Sequence, residues 1–180
     1  MDIVVEQRKF TLRSEFDIST PLGNFRAEKQ LLSLGDKIQL LAGNAVIARI
    51  KSRFFVFRPK YDFELSDGTV YRFRCTKAWK RVFACEGNGK CYWLYEHKGV
   101  RYSIFDGDRQ IAAFTKNRIK IGKGDRYELR ANSDANITVI ICLVLTVDVT
   151  ENEGDQESVT VDLGRIGPEE RKFDESWEPD

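Results

Sequence analysis

The stretch SDANITVIICLVLTVDV, residues 133–149, is the segment on which the fold depends. Its residues 137–147 are apolar on every side apart from two threonines. The Ile, Val and Thr content favours a central β-strand, and periodicity alone does not separate such a strand from a buried helix. A helix that is apolar all round must be surrounded by protein, and Ser133 or Asp134 would serve as its N-cap. The segment is shorter than the roughly 20 residues that span a bilayer, so we expect it to be buried in protein.

The chain before this segment has the pattern of antiparallel sheet. Between residues 8 and 130, short segments alternate apolar and polar positions, and Gly, Asn and Asp separate them. The segments 61–65 and 70–75, with the turn Asp67-Gly68 between them, are one example. Glycine in such turns supplies the positive φ that tight hairpins require. Many short strands joined by hairpins predict a sandwich or a barrel.

An internal repeat sharpens this prediction. LLAGNAVIARIKSRFFVFRPKYDFEL (40–65) aligns without a gap to IFDGDRQIAAFTKNRIKIGKGDRYEL (104–129), at a constant offset of 64 residues. Five pairs are identical, including the turn glycines Gly43 and Gly107, and most apolar positions are kept. Repeated units bury one another's apolar faces, and two similar groups of strands that close on each other remove exposed edges.

The charge of the chain is unevenly distributed. The 29 Lys and Arg and 28 Asp and Glu give a net charge of +1, which by itself predicts no strong binding of polyanions. Residues 150–180, however, hold 11 acidic and 3 basic side chains, a net charge of −8, whereas residues 1–149 carry +9. The composition therefore predicts a basic body joined to an acidic tail.

The start MDIVVEQRKF has no basic leader and no long apolar run, so we expect a cytoplasmic protein without a transmembrane segment. The four cysteines lack the spacing of a disulfide framework and are expected to be reduced.

Five sequence elements, in order, carry a resemblance to a known family. They are KFTLRSEFDI (9–18), LLSLGDKIQLL (31–41), AVIARI (45–50), FFVFRPKYDFEL before the turn SDG (54–68), and ITVIICLVLTVDV (137–149). Over about residues 5–149 the chain resembles the LURP-one-related family of the tubby C-terminal-like superfamily, which includes the phospholipid scramblases. The resemblance implies a mainly β fold, a closed antiparallel barrel of about twelve strands around a buried hydrophobic C-terminal helix. Here it overrides the local preference for a strand.

We therefore expect a tubby-like barrel domain at 1–149, with its central helix near 134–149. An acidic tail at 150–180 would follow, partly disordered or loosely docked. Within the tail, alternation over 158–163 would suit one edge strand, and Phe173 and Trp177, four residues apart, would anchor a short helix.

The sequence contains few residues in the arrangements that catalysis or metal binding would require. His97, the single histidine, adjoins Lys98-Gly99 in a hairpin turn, so we expect it to be exposed to solvent. Cys85 and Cys91 are six residues apart, whereas structural zinc sites usually pair cysteines two to four apart. No phosphate loop or general acid-base pair is visible. The prediction is a non-catalytic protein without a cofactor or a metal.

Basic residues are the remaining functional signal. Two groups are expected to point outward from strands and the adjoining turn: Arg72, Arg74, Lys77, Lys80 and Arg81, and secondly Arg49, Lys51 and Arg53. Lys and Arg on the outward face of a strand are ordinarily solvent-exposed residues without a binding role. As a hypothesis, they bind anionic phospholipid headgroups and place the protein at the periphery of a membrane. The alternative is a protein-interaction scaffold that uses the acidic tail or an exposed strand edge. Nucleic acid ranks below lipid, because no recognised motif accompanies the charge.

Overall fold

The computed structural model describes residues 1–10, 13–29, 36–53, 60–77, 81–117, 124–157 and 169–180. Within them the chain forms twelve strands followed by one helix. The elements are β1 (Asp2–Phe10), β2 (Arg13–Thr20), β3 (Gly23–Lys29), β4 (Asp36–Ala42), β5 (Ala45–Arg53), β6 (Lys60–Leu65), β7 (Val70–Lys77), β8 (Val82–Gly87), β9 (Lys90–His97), β10 (Arg101–Asp106), β11 (Arg109–Asn117), β12 (Arg126–Ala131) and α1 (Ile137–Glu157).

The strands form a closed antiparallel barrel. Each strand pairs with the next along the chain, and β1 pairs with β12 to close the ring. Side chains alternate between the two faces of each strand, as on β6, where Tyr61 and Phe63 are buried and the intervening Asp62 points outward. The predicted fold class is therefore confirmed, and closure leaves none of the twelve described strands at an edge.

The internal repeat is confirmed for its first two strands. β4 and β5 pair in the same register as β10 and β11, with Leu40 opposite Ala48 and Ile104 opposite Ala112. A register shift follows Leu40 and Ile104 alike. The third strands differ, because Ala48 faces Leu65 on β6 whereas Ala112 faces Ala131 on β12. This is a displacement of two residues from the 64-residue offset.

The helix α1 fills the interior of the barrel. Residues 139–145, about two turns, are each 0% exposed, so every side of the helix meets protein. The preference for a strand from composition is thus wrong, and the helix implied by the family resemblance is confirmed. The physical reason is that a closed sheet offers an enclosed segment no free edge to pair with. A helix satisfies its backbone hydrogen bonds within itself.

The bounds of the helix differ from those expected. Asn136 caps it, since its Oδ1 accepts from the Val139 N–H at 3.2 Å. Ser133 and Asp134, the predicted caps, precede the helix, and the Asp134 carboxylate instead accepts from Arg109 at 2.7 Å. At its other end the helix continues through the expected domain boundary at 149/150 to Glu157.

Residues 169–180 lie against the outside of the barrel. The side chain of Glu170 pairs with Lys77, and the backbone N–H of Ser133 donates to the carbonyl of Asp180 at 3.1 Å. Phe173 and Trp177 do not form the predicted helix; a turn at 175–176 follows Phe173. The predicted edge strand at 158–163 lies outside the described residues.

Candidate functional site

The outer surface of β5 to β8, which we name the basic face, carries most of the predicted cations. Strand alternation turns charged side chains outward on all four strands. Its cations are Arg49, Lys51, Arg53, Lys60, Arg72 and Arg74, and its carboxylates are Asp62, Glu64 and Glu86. Six cations against three carboxylates leave a surplus of three positive charges.

The structure brings the two predicted basic groups onto one surface, with an acidic strand between them. Asp62 on β6 lies opposite Lys51 on β5 and opposite Arg72 on β7. Neighbouring strands are about 4.8 Å apart, so the two basic rows are separated by about 10 Å. Sequence reasoning missed these acids, because cross-strand register decides which charges meet.

Three of the cations are paired across strands. Lys51 lies 2.7 Å from Glu64, Arg53 2.6 Å from Asp62, and Arg74 2.5 Å from Glu86. Exposed ion pairs of this kind contribute about 0 to 1 kcal/mol each, so an incoming anion displaces them at little cost.

Arg49 and Arg72 are the most available cations of the basic face. Both side chains are exposed, and neither forms an ion pair with another of the described residues. They lie on β5 and β7, one on each side of β6. They are therefore the two predicted residues best placed to meet an anion.

The remaining predicted residues lie elsewhere. Lys77 pairs with Glu170 of the chain's own C-terminal segment. Arg81 turns to the end of the barrel, where its Nη1 lies 2.9 Å from Glu96 and 3.7 Å from Glu151. Lys80 lies outside the described residues.

A buried charged cluster closes the end of the barrel at which α1 emerges. The Lys116 side chain is 3% exposed, and its Nζ lies 2.6 Å from Glu151, 2.9 Å from Asp125 and 4.0 Å from Asp148. The Tyr127 hydroxyl donates to Asp148 at 2.7 Å. Burial raises the pKa of Asp148, although the Tyr127 hydroxyl and Lys116 oppose it. Burial alone would lower the pKa of Lys116, but the carboxylates outweigh it and raise the pKa.

Sequence reasoning missed this cluster, and two signals were present. Lys116 lies at every-second-residue spacing from Ala112 and Phe114, which point into the barrel, so it is expected to point inward as well. Asp148 interrupts an apolar run. Beside the cluster, a cavity of about 160 Å³ is lined by Arg81, Glu96 and Glu151 among others. One cation meets two carboxylates there, and Lys116 supplies a second positive charge to Glu151, so ion pairs join α1 to the strands at this end of the barrel.

His97 is buried, and the prediction of a solvent-exposed turn histidine is wrong. Its residue is 2% exposed, and its Nε2 lies 2.7 Å from the Ser103 hydroxyl. Although the side chain points out of the barrel, Glu169 and Phe173 cover it, with 3.5 Å between Nδ1 and the Glu169 carboxylate. Burial lowers the pKa of His97, and Glu169 opposes that shift without outweighing it.

Cysteines and acidic side chains are the residue types that could supply metal or redox chemistry. Cys75, Cys85, Cys91 and Cys142 form no disulfide with one another. Burial raises the pKa of the Cys142 thiol to about 12, which keeps it protonated in the core. Across the described ranges, no three His, Cys, Asp or Glu side chains gather in a group that would hold a metal ion.

Comparison with known proteins gave no match to a family model, a curated protein or a solved structure. In the part of the chain that the structure describes, no helix has both the length and the apolar character to cross a membrane.

Proposed function

We propose that this chain is a non-catalytic binding module whose basic face recognises anionic phospholipid headgroups at a membrane surface. The observation that carries the proposal is the surplus of three cations on the outer surface of β5 to β8, with Arg49 and Arg72 exposed. Guanidinium groups bind phosphate in bidentate geometry, which suits arginine for this role. A cytoplasmic protein held at the periphery of a membrane is part of the same proposal.

The fold supports a role for the outer surface. Barrels of similar size often hold a small ligand inside, but here α1 fills the interior with side chains that are 0% exposed. A barrel threaded by a helix is also the architecture that the resemblance to the LURP-one-related family implies. We propose membership of that family on this ground.

The expected affinity is modest. A cation near an anionic bilayer contributes about 1 kcal/mol, so a surplus of three charges gives about 3 kcal/mol, or roughly a hundredfold preference over a neutral bilayer. Such binding weakens strongly as salt rises, because the Debye length shortens from about 10 Å at 0.1 M to 3 Å at 1 M.

Vesicle sedimentation with the full chain tests the proposal. Vesicles of phosphatidylcholine, with and without phosphatidylserine, are compared at low and high salt, beside single-stranded and duplex nucleic acid. The double variant Arg49→Gln/Arg72→Gln should lose about 2 kcal/mol of binding to the anionic vesicles, roughly thirtyfold. Arg8→Gln/Arg26→Gln makes the same change of net charge on β1 and β3, away from the basic face, and should bind nearly as the parent does.

Two results would overturn the lipid proposal. One is equal loss of vesicle binding in the two double variants, which would mean that only net charge matters. The other is tighter binding to nucleic acid than to anionic vesicles.

A protein-interaction module is the second candidate, and the docked segment 169–180 favours it. Its contacts with Lys77, His97 and Arg101 support a role of the outside of the barrel in binding an extended peptide. The version that uses an exposed strand edge loses its basis, because the ring of twelve described strands is closed.

A further inference from the structure

The outer surface of β9 and β10 is covered by the chain's own residues 169–180, which we name the C-terminal segment. On β10, Tyr102 and Ile104 point into the barrel, so Ser103 and Phe105 point outward. Both are nevertheless buried, with exposed fractions of 1% and 6%. The covered surface, which we name the docking face, includes Tyr95, His97, Arg101 and Phe105.

The C-terminal segment meets the docking face at every second residue. Glu169, Arg171 and Phe173 are partly buried, whereas Glu170 and Lys172 are exposed. A period of two is the pattern of an extended peptide that lies on a surface. The sequence EERKF therefore presents three residues inward and two outward.

Each inward residue has its own partners. The Glu169 carboxylate accepts from the Lys98 backbone N–H at 3.0 Å, beside the His97 ring. The Arg171 guanidinium lies over the Phe105 ring, 4.0 Å from its centre. A guanidinium in this position is attracted by the electrons of the ring face.

The third inward residue, Phe173, contacts two residues of the docking face. Phe173 packs edge-on against His97 at 5.1 Å between ring centres, and the Arg101 guanidinium lies 4.5 Å from the centre of its ring. The docking face thus contacts an acid, an arginine and an aromatic ring at successive inward positions of the segment.

These contacts suit a reversible association. Several of them are made by side chains on the surface, such as the exposed pairs of Lys77 with Glu170 and of Arg101 with Glu175. Exposed ion pairs contribute little to stability. When the segment leaves, Phe105 and Tyr95 form an apolar patch on the outside of the barrel, and such patches mark interaction sites.

We propose that the docking face is a peptide-binding surface for a partner protein that carries an extended acid-x-Arg-x-aromatic peptide, and that the C-terminal segment is its resident pseudo-ligand. The inference deepens the second candidate function and does not depend on the basic face. A tethered segment competes at an effective concentration on the order of millimolar, so the parent chain excludes all but abundant or tight-binding partners.

Peptide binding in trans to the full chain tests the proposal. The probe is a fluorescently labelled peptide with the sequence of residues 168–180, followed by anisotropy. In the chain variant Arg171→Ala/Phe173→Ala the tethered segment loses two of its three inward contacts, so the probe should bind at least about tenfold more tightly than to the parent. The matched variant Lys172→Ala/Ser176→Ala changes two exposed positions of the same segment and should resemble the parent.

The location of binding is tested in the Arg171→Ala/Phe173→Ala background. Adding Phe105→Ser should abolish binding of the probe, and so should Arg101→Glu, which alters an outward side chain and spares the core. A probe with alanine at the positions of Arg171 and Phe173 should not bind any variant. Circular dichroism establishes that each variant is folded.

Three outcomes would overturn the proposal. The first is failure of the folded Arg171→Ala/Phe173→Ala chain to bind the probe. The second is equal binding to this variant and to the parent, and the third is undiminished binding after Arg101→Glu. None of these measurements contains vesicles, so the result is independent of the lipid proposal.

Discussion

Gly43 and Gly107 hold the same place in two copies of one hairpin, with φ angles of 58° and 61°. Their hairpins, β4–β5 and β10–β11, stand six strands apart in a ring of twelve and share the register shift before the turn. The two hairpins are thus related by an approximate twofold rotation about the barrel axis.

Alanine at either glycine should destabilise the protein by about 1 to 2 kcal/mol, because an L-residue pays this cost in the left-handed region. Nothing lies within 4 Å of an added Cβ at either glycine, so the cost comes from the backbone alone. Urea unfolding of Gly43→Ala and Gly107→Ala measures it. Asparagine tolerates this conformation better, so Gly43→Asn and Gly107→Asn should cost less. Clearly unequal costs at the two turns would contradict their equivalence.

Leu143→Ala should lower the free energy of unfolding by about 2 to 5 kcal/mol, because it opens a cavity in the middle of a filled barrel. Leu143 is 0% exposed on α1. Leu22→Ala makes the same chemical change at a residue that is 68% exposed and should cost less than about 0.5 kcal/mol. Similar losses from the two changes, measured by urea unfolding, would mean that α1 does not fill the interior.

Lys116→Met should destabilise the protein by about 3 to 5 kcal/mol, because it leaves buried carboxylates without their cation. Glu151 and Asp125 lie within 2.9 Å of the Lys116 amino group. In the double variant Lys116→Met/Glu151→Gln one uncompensated charge is also removed, so part of the loss should be recovered. Thermal and urea unfolding compare the three proteins, and a single variant as stable as the parent would contradict the role of the cluster.

Docking of the C-terminal segment should weaken as the pH falls below about 6.5, the ordinary pKa of histidine. Burial lowers the pKa of His97 in the docked state, so the undocked state takes up the proton first and is favoured. For Glu169, burial would raise the pKa, but the Lys98 N–H and His97 outweigh it and lower it. At still lower pH, protonation of Glu169 therefore weakens docking further.

Hydrogen exchange of the full chain at several pH values measures this effect. Near pH 5.5, amides in residues 169–180 should lose protection, so that they exchange faster than the pH dependence of the intrinsic rate explains. Amides of β11 and β12 should keep their protection. In His97→Gln the component near pH 6.5 should disappear, although Glu169 and Arg101 remain in place. Protection that is independent of pH in the parent would refute the prediction.

Neutralising the acidic strand within the basic face should strengthen binding to anionic vesicles. Glu64→Gln removes one of the three carboxylates there and should add about 1 kcal/mol, roughly fivefold in affinity. Glu128→Gln on β12 makes the same change of charge on another part of the barrel and should have a smaller effect. Vesicle sedimentation separates the two results, and equal gains would locate binding outside the basic face.

Much of the fold was readable from the sequence, because alternation, turn glycines and the 64-residue repeat are local patterns. The nature of residues 137–147 was not, since composition favoured a strand and only closure of the barrel forces a helix. The cap at Asn136 was missed because two other capping residues precede it.

The candidate surfaces were less predictable, because both depend on contacts between distant residues. His97 has the sequence context of an exposed turn, and Glu169, whose carboxylate covers it, lies 71 residues beyond Lys98. The acids of β6 were likewise visible in the sequence, but only the strand register places Asp62 between Lys51 and Arg72.

The position of α1 in the chain also governs how the barrel is made. The helix follows all twelve strands, so a chain emerging from the ribosome presents every strand before the element that fills their inner faces. Pairing of β1 with β12 joins residues more than a hundred positions apart, and such long-range contacts form slowly. We therefore expect folding to be completed only once α1 has been synthesised, with the nascent strands exposed to aggregation until then.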